Sequence, residues 1–134
     1  MTNVNGQFQL SSNATELYQR YSGRMLDVWN RALIEAADLL PGEKVLDVAC
    51  GTGAATRLAA NVVGSSGRVV GLDLTAGMLT KAREFSPSES GVPIEWREGD
   101  AATLPFDDST FDLVLCSQGL QYFPDRNAAL REMR

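Results

Sequence analysis

The stretch VLDVACGTG at residues 45–53 is apolar for most of its length and then breaks into two glycines with one residue between them. Val45, Leu46 and Val48 suit a strand buried on both faces. Gly51 and Gly53 suit an abrupt turn out of that strand, because glycine tolerates backbone angles other residues avoid. A helical pattern resumes at once, from Gly53 through Arg57, Leu58 and Ala60 toward Val63. Strand, glycine turn and helix form the first half of a βαβ unit.

The same grammar recurs downstream. Gly64-Ser65-Ser66-Gly67 reads as a turn, RVVGLDL (68–74) as a strand, and Ala76 to Phe85 as a helix with Met78, Leu79 and Ala82 on one face. SPSESGVP (86–93) is a loop rich in breakers. IEWREGD from Ile94 alternates, with Ile94 and Trp96 on its apolar side. FDLVLCS from Phe111 is a fourth strand, and Pro124 to Arg134 opens a further helix. Upstream, Ala14 to Leu40 reads as two helices broken near Ser22-Gly23, and Pro41-Gly42 ends the second. Leu26, Trp29, Leu33, Ala37 and Leu40 make one apolar stripe that needs cover. Strands alternating with helices imply right-handed crossovers and a parallel sheet covered on both faces, a doubly wound α/β architecture. Residues 1–134 read as one domain, with N-terminal helices over 1–40 and the sheet-bearing core over 41–134.

Charge and composition narrow the function. Twelve basic against 17 acidic residues leave a net charge of −5, which opposes nucleic acid and anionic membrane surfaces. The N-terminal MTNVNGQFQLSSN has neither a basic start nor an apolar core, so no signal peptide is read, and no window suits a membrane span. Two cysteines, Cys50 and Cys116, make no disulfide framework and read as reduced thiols of a cytoplasmic protein. The chain has no histidine, which removes the commonest general base and metal ligand together. No metal site is expected.

Open α/β sheets bind ligands beyond the carboxyl ends of their strands. Asp47 and the Ala49–Gly53 turn close the first strand, Asp73 the second, Gly99-Asp100-Ala101 the third, and Ser117-Gln118-Gly119 the fourth. Close-packed glycines free the amides that open the next helix. Asp73 lies 20 residues beyond Gly53, a spacing that suits a carboxylate accepting both hydroxyls of a ribose. Asp100 suits an exocyclic amine such as adenine carries. Together they describe a site for an adenosine with an attached tail. Thr56 stands where a dinucleotide fold wants its third glycine, which weakens an NAD-dependent oxidoreductase reading. No lysine follows the glycines, which excludes a P-loop.

These residues resemble the class I S-adenosylmethionine-dependent methyltransferases. VLDVACGTG is similar to the family's first motif, VVGLDLTAGML (69–79) to its ribose-acid segment, and EGDAATLPFDDSTFDLVLCSQGLQYFPD (98–125) to its adenine loop and fourth strand. The nearest branch is the small-molecule methyltransferases related to ubiquinone and menaquinone biosynthesis. The resemblance runs from about Tyr18 to the C-terminus and departs at Ala49, where many members carry glycine.

The resemblance implies a Rossmann-like sheet ordered 3-2-1-4 and S-adenosyl-L-methionine as cofactor, with S-adenosyl-L-homocysteine as product. It assigns Asp47, Ala49, Gly51 and Gly53 to the methionine part of the cofactor and Asp73 to the ribose. Leu74 and Met78 would pack beside the adenine, and Asp100 and Ala101 would meet its edge. Ser117 and Gln118 would lie near the amino group and sulfonium, with Tyr18 and Tyr21 reaching over the cofactor. It nominates no catalytic base. The family's sheet has seven strands and this chain supplies four, so the core reads as truncated, with the fourth strand left as a long apolar edge. We expect a second copy to cover that edge in a homo-oligomer. Two functions stay open: a methyltransferase, or its cofactor-binding half, acting on a small molecule, and a truncated non-catalytic module that binds the cofactor or mediates association.

Overall fold

Lys44–Val48 forms β1, and every residue of it after Lys44 is buried, as the apolar run requires. The structure, a computed structural model, describes residues 12–85 and 91–134. Around β1 the chain places α1 (Ser12–Ala37), α2 (Ala54–Val63), β2 (Arg68–Asp73), α3 (Ala76–Glu84), β3 (Ile94–Glu98), β4 (Leu113–Leu115) and α4 (Arg126–Glu132), with one 3-10 turn at Leu120–Tyr122. The four strands are parallel and ordered β3-β2-β1-β4. Val45 pairs with Val69 on one side and Leu113 on the other, and Gly71 pairs with Trp96.

Alternation along the strands divides the core in two. Val45, Val69 and Leu115 pack with Ala59, Ala60 and Val63 of α2 and with Leu33, Ile34 and Ala37 of α1. Leu46, Val48, Val70 and Leu72 turn to the other face, against Ala129 of α4 and the loop residues Phe106 and Phe111. Helices on both faces of a parallel sheet make the Rossmann-like arrangement, carried here as four strands.

Four sequence expectations are corrected. The N-terminal segment is one helix, since α1 runs through Ser22-Gly23 without a break. A single glycine in a helix interior costs only about 1 kcal/mol relative to alanine, which the rest of a long helix absorbs. The helix ends at Ala37, before Pro41-Gly42, where Asp38 takes a φ of 50°. Trp29 and Leu40 are not in the buried stripe: they are 60% and 57% exposed, while Leu26, Leu33 and Ala37 turn inward. Last, β4 is three residues and starts at Leu113, not Phe111. Phe111 instead meets the edge of Phe106, with ring centroids 5.0 Å apart. The edge left by β4 is therefore short, and shortness is itself a way of blunting an edge. No helix among the described residues is long and apolar enough to cross a membrane.

Candidate functional site

The turn after β1 takes three left-handed residues in five: Ala49 (φ 57°), Gly51 (φ 56°) and Gly53 (φ 81°). It stays tied to the sheet because the Cys50 amide donates to the Leu72 carbonyl at 3.0 Å. Asp73, closing β2, reaches back to it. One carboxylate oxygen accepts from the Gly51 amide at 2.8 Å, and the other accepts from the Thr75 amide at 2.8 Å. Burial pushes the Asp73 carboxyl up, and these two N–H groups pull against that shift. Asp73 thus fixes the glycine turn to the start of α3 while keeping lone pairs for a ligand.

A cleft opens on each side of this turn, and the two share Ala49, Gly51, Ser117 and Gln118. On the β2 and β3 side, Asp73, Leu74 and Met78 face Asp100 and Ala101. Asp100 is held by the Ala102 amide, which donates to its carboxylate at 2.9 Å. Tyr122, Phe123 and Pro124 close the far wall, a contribution the sequence pattern does not reveal. Apolar Leu74, Met78 and Ala101 together with two carboxylates, Asp73 and Asp100, form a lining that suits a base and its sugar. The structure brings ten of the proposed site residues to this junction, Asp47 among them on the second side.

The second cleft lies under α1. Asp47 lines it together with Asn30 and Asp27 of α1 and Arg57 of α2. Asp47 is 1% exposed. The Thr56 hydroxyl donates to its Oδ2 at 2.6 Å, while its Oδ1 is buried without a hydrogen-bond partner. Burial pushes the Asp47 carboxyl up to about 7, opposed by Thr56 and helped by the nearby Asp73 charge. A buried acceptor without a partner is uncommon and marks a place where a donor belongs. Thr56, noticed in the sequence only as a missing glycine, is here the group that orients Asp47.

Ser117, at the tip of β4, donates from its hydroxyl to the Asn30 side-chain carbonyl at 2.6 Å, and Asn30 is 5% exposed. That bond fastens α1 across the sheet end. The same tip bends at Gln118, with φ 59°. Ala49, where the family often has glycine, puts its methyl 2.5 Å from where a Cβ on Gly119 would stand, which helps keep that facing turn bare.

Gly53 sits between Thr52 and Ala54, which both line the second cleft. It lines neither cleft itself. A Cβ there would fall 2.2 Å from the Trp96 ring, so glycine is required by packing against β3 as well as by its left-handed backbone. Tyr18 and Tyr21 belong to α1, but their side chains lie outside the described residues. Arg57 lines the second cleft, donates from Nη2 to the Thr52 carbonyl (2.8 Å) with Nη1 buried without a partner, and stacks 5.2 Å from the Phe85 ring centre; burial lowers its pKa. Cys50 and Cys116 are free thiols that burial holds up in pKa. Among the described residues no cluster of side chains suits a metal ion.

Comparison with known proteins agrees with this geometry. A family profile described as a methyltransferase domain matches residues 45–134. The chain is 39% identical over 137 residues to a 2-phytyl-1,4-naphtoquinone methyltransferase of Thermosynechococcus vestitus, an alignment covering 99% of this chain and 59% of that protein. It is 37% identical over 124 residues to a demethylmenaquinone methyltransferase of Staphylococcus carnosus, covering 92% and 51% respectively. The fold superposes with a TM-score of 0.75 on a SAM-dependent methyltransferase from Aquifex aeolicus, at 20% identity over 92% of this chain and 65% of the other. The chain spans about half the length of the curated relatives it matches. Its glycine turn, its acid-tipped strands and a profile that runs unbroken from β1 to Arg134 have one common account: this chain belongs to the methyltransferase domain family.

Proposed function

We propose that this chain is the cofactor-binding part of an S-adenosyl-L-methionine-dependent methyltransferase whose acceptor is a small molecule, of the quinone kind named for its relatives. The observation that carries the reading is the pair of clefts meeting at Ala49 and Gly51, one lined by Asp73 and Asp100, the other by Asp47, whose buried Oδ1 has no partner. These residues fit the cofactor's parts. Asp73 would accept from the ribose hydroxyls and Asp100 from the adenine amine, with Leu74, Met78 and Ala101 gripping the ring. Ala49, Gly51, Ser117 and Gln118 would surround the sulfonium and its tail, and Asp47 the amino end. Tyr18 and Tyr21 stay proposed as cover from α1, and Gly53 supports the turn from behind.

When bound, S-adenosyl-L-methionine supplies a methyl group already activated by its sulfonium. What the protein adds is alignment, exclusion of water and a negative field around a cationic centre. Asp47 and Asp73 provide that field, and the Ser117–Asn30 bond holds α1 over the junction. No residue is assigned as a base. The reading includes a cytoplasmic setting, in which Cys50 and Cys116 stay reduced, and a single domain over residues 1–134.

Isothermal titration with S-adenosyl-L-homocysteine tests it. Asp73→Ala removes a charged acceptor, a loss of roughly 1.5–3 kcal/mol, or about ten- to a hundredfold in affinity. An unchanged dissociation constant would take Asp73 out of the site, and no heat at all from the wild-type chain would favour the non-catalytic module. The reading also keeps a second copy against the outer edge of Leu113–Leu115, which no described strand covers. Sedimentation is expected to show a dimer at micromolar concentration, and a stable monomer there would sink that part alone.

A further inference from the structure

We propose that the cleft under α1 takes up its ligand as an ammonium and in doing so expels one proton from Asp47, so that binding is coupled to pH through this single carboxyl. The proposal rests on the reading above, since it is the amino end of an amino-acid-bearing adenosine that reaches Asp47.

The geometry has three parts. Asp47 lines the cleft from β1, with one oxygen bonded by Thr56 and the other buried without a partner. A carboxylate in that position is poorly solvated, so in the ligand-free protein it holds its proton to about neutrality. An ammonium brought to Oδ1 reverses the balance, because opposite charges at contact distance favour the ionised form. The O–H bond of the Asp47 carboxyl breaks, its proton passes to the buffer, and the resulting carboxylate accepts an N–H from the ligand, which keeps its own charge. Thr56 acts as a positioning residue here: by donating to Oδ2 it fixes the carboxyl and leaves Oδ1 as the oxygen that lacks a donor.

The groups facing Asp47 do not compete for this role. Asp73 of β2 adds a negative charge that raises Asp47 further. Cys50 beside it and Cys116 from the end of β4 are pushed up by burial and stay neutral thiols near neutrality. Arg57 of α2 lines the same cleft but donates to the Thr52 carbonyl, and Asp27 of α1 lies at its exposed rim. With no histidine in the chain, no imidazole contributes a proton in this range.

The test is calorimetric titration of the whole chain in two buffers of different ionisation enthalpy. With S-adenosyl-L-homocysteine we expect about 0.7 proton released per ligand at about pH 6.5, falling toward zero by about pH 8. 5′-Methylthioadenosine, which lacks the amino-acid end, is expected to bind with no proton released. Asp47→Asn is expected to bind S-adenosyl-L-homocysteine more weakly, also with none released, while Thr56→Val weakens affinity and, by removing a donor that holds the carboxyl down, extends the release to higher pH. If both adenosine ligands bind the wild-type chain and the heat is the same in both buffers, the proposal fails and the cofactor reading stands. If neither binds, both fail together.

Discussion

Gly53→Ala is expected to lower the unfolding free energy by about 2–5 kcal/mol, the sum of two separable penalties. The first is the backbone. Gly53 sits at φ 81°, and a side chain in the left-handed region costs roughly 1–2 kcal/mol. The second is overlap, since the new methyl would lie 2.2 Å from one carbon of the Trp96 ring and 2.7 Å from another. Trp96 lies across Gly71 of the neighbouring strand as well, where a Cβ would meet its ring at 2.6 Å, so the indole has little room to retreat. Overpacking of this kind typically costs about 1–3 kcal/mol. Gly51→Ala serves as the control, because its φ is also positive but nothing lies within 4 Å of its Cβ direction. Denaturant midpoints are expected to rank wild type above Gly51→Ala above Gly53→Ala, and Trp96→Leu should narrow the last gap through a non-additive coupling. Equal loss at the two glycines would show that Trp96 yields freely and that backbone conformation alone demands Gly53.

The second large effect belongs to Asp47 and depends on pH. Its carboxyl moves from an ordinary 3.8 to about 7 in the folded chain, mainly because burial penalises the charged form. A group whose folded pKa is raised contributes its full stability below the unfolded value and loses it as pH climbs through the folded value. For Asp47 the window therefore opens near pH 4 and closes near pH 7. The linked change is about 4 kcal/mol, since each tenfold change in proton affinity is worth about 1.4 kcal/mol. Asp47→Asn carries no charge at any pH, so it isolates this group from every other acid in the chain. Urea unfolding of the ligand-free protein at several pH values should show wild type losing stability relative to Asp47→Asn by about that amount between about pH 4 and about pH 8. A constant offset between the two would mean that Asp47 ionises as an ordinary carboxyl. The same substitution that steadies the fold at neutral pH is expected to weaken the ligand, a trade commonly seen where a site holds charge against the preference of the core.

The sheet was legible in the sequence because its signals are local. β1, β2 and β3 each announce themselves by an apolar run or alternation bounded by glycine turns, while their order came from the family resemblance. Asp73 and Asp100 were legible for the same reason, as acids placed just past a strand. What escaped depends on partners far apart in the chain or on a side chain's direction. Asn30 meets Ser117 across 87 positions, and nothing around Asn30 sets it apart from a polar residue on a solvated face. Thr56 and Asp47 are nine residues apart, but only the turn between β1 and α2 brings hydroxyl and carboxylate into contact. The packing demand on Gly53 escaped because Trp96, the residue that needs its missing side chain, belongs to another strand. Trp29 fitted a helical stripe by spacing, yet α1 turns a second apolar side, carrying Met25 and Val28 too, outward.

The facing turns at the tips of β1 and β4 limit each other's side chains. Gly119 has an ordinary negative φ of −97°, so space and not backbone keeps it bare: a Cβ there would stand 2.5 Å from the Ala49 methyl and 3.0 Å from the Cys116 sulfur. Trimming Ala49 to glycine would therefore not open position 119 by itself, because the Cys116 sulfur still crowds it. A side chain can enter the second turn only when two neighbours, one from each turn, yield together.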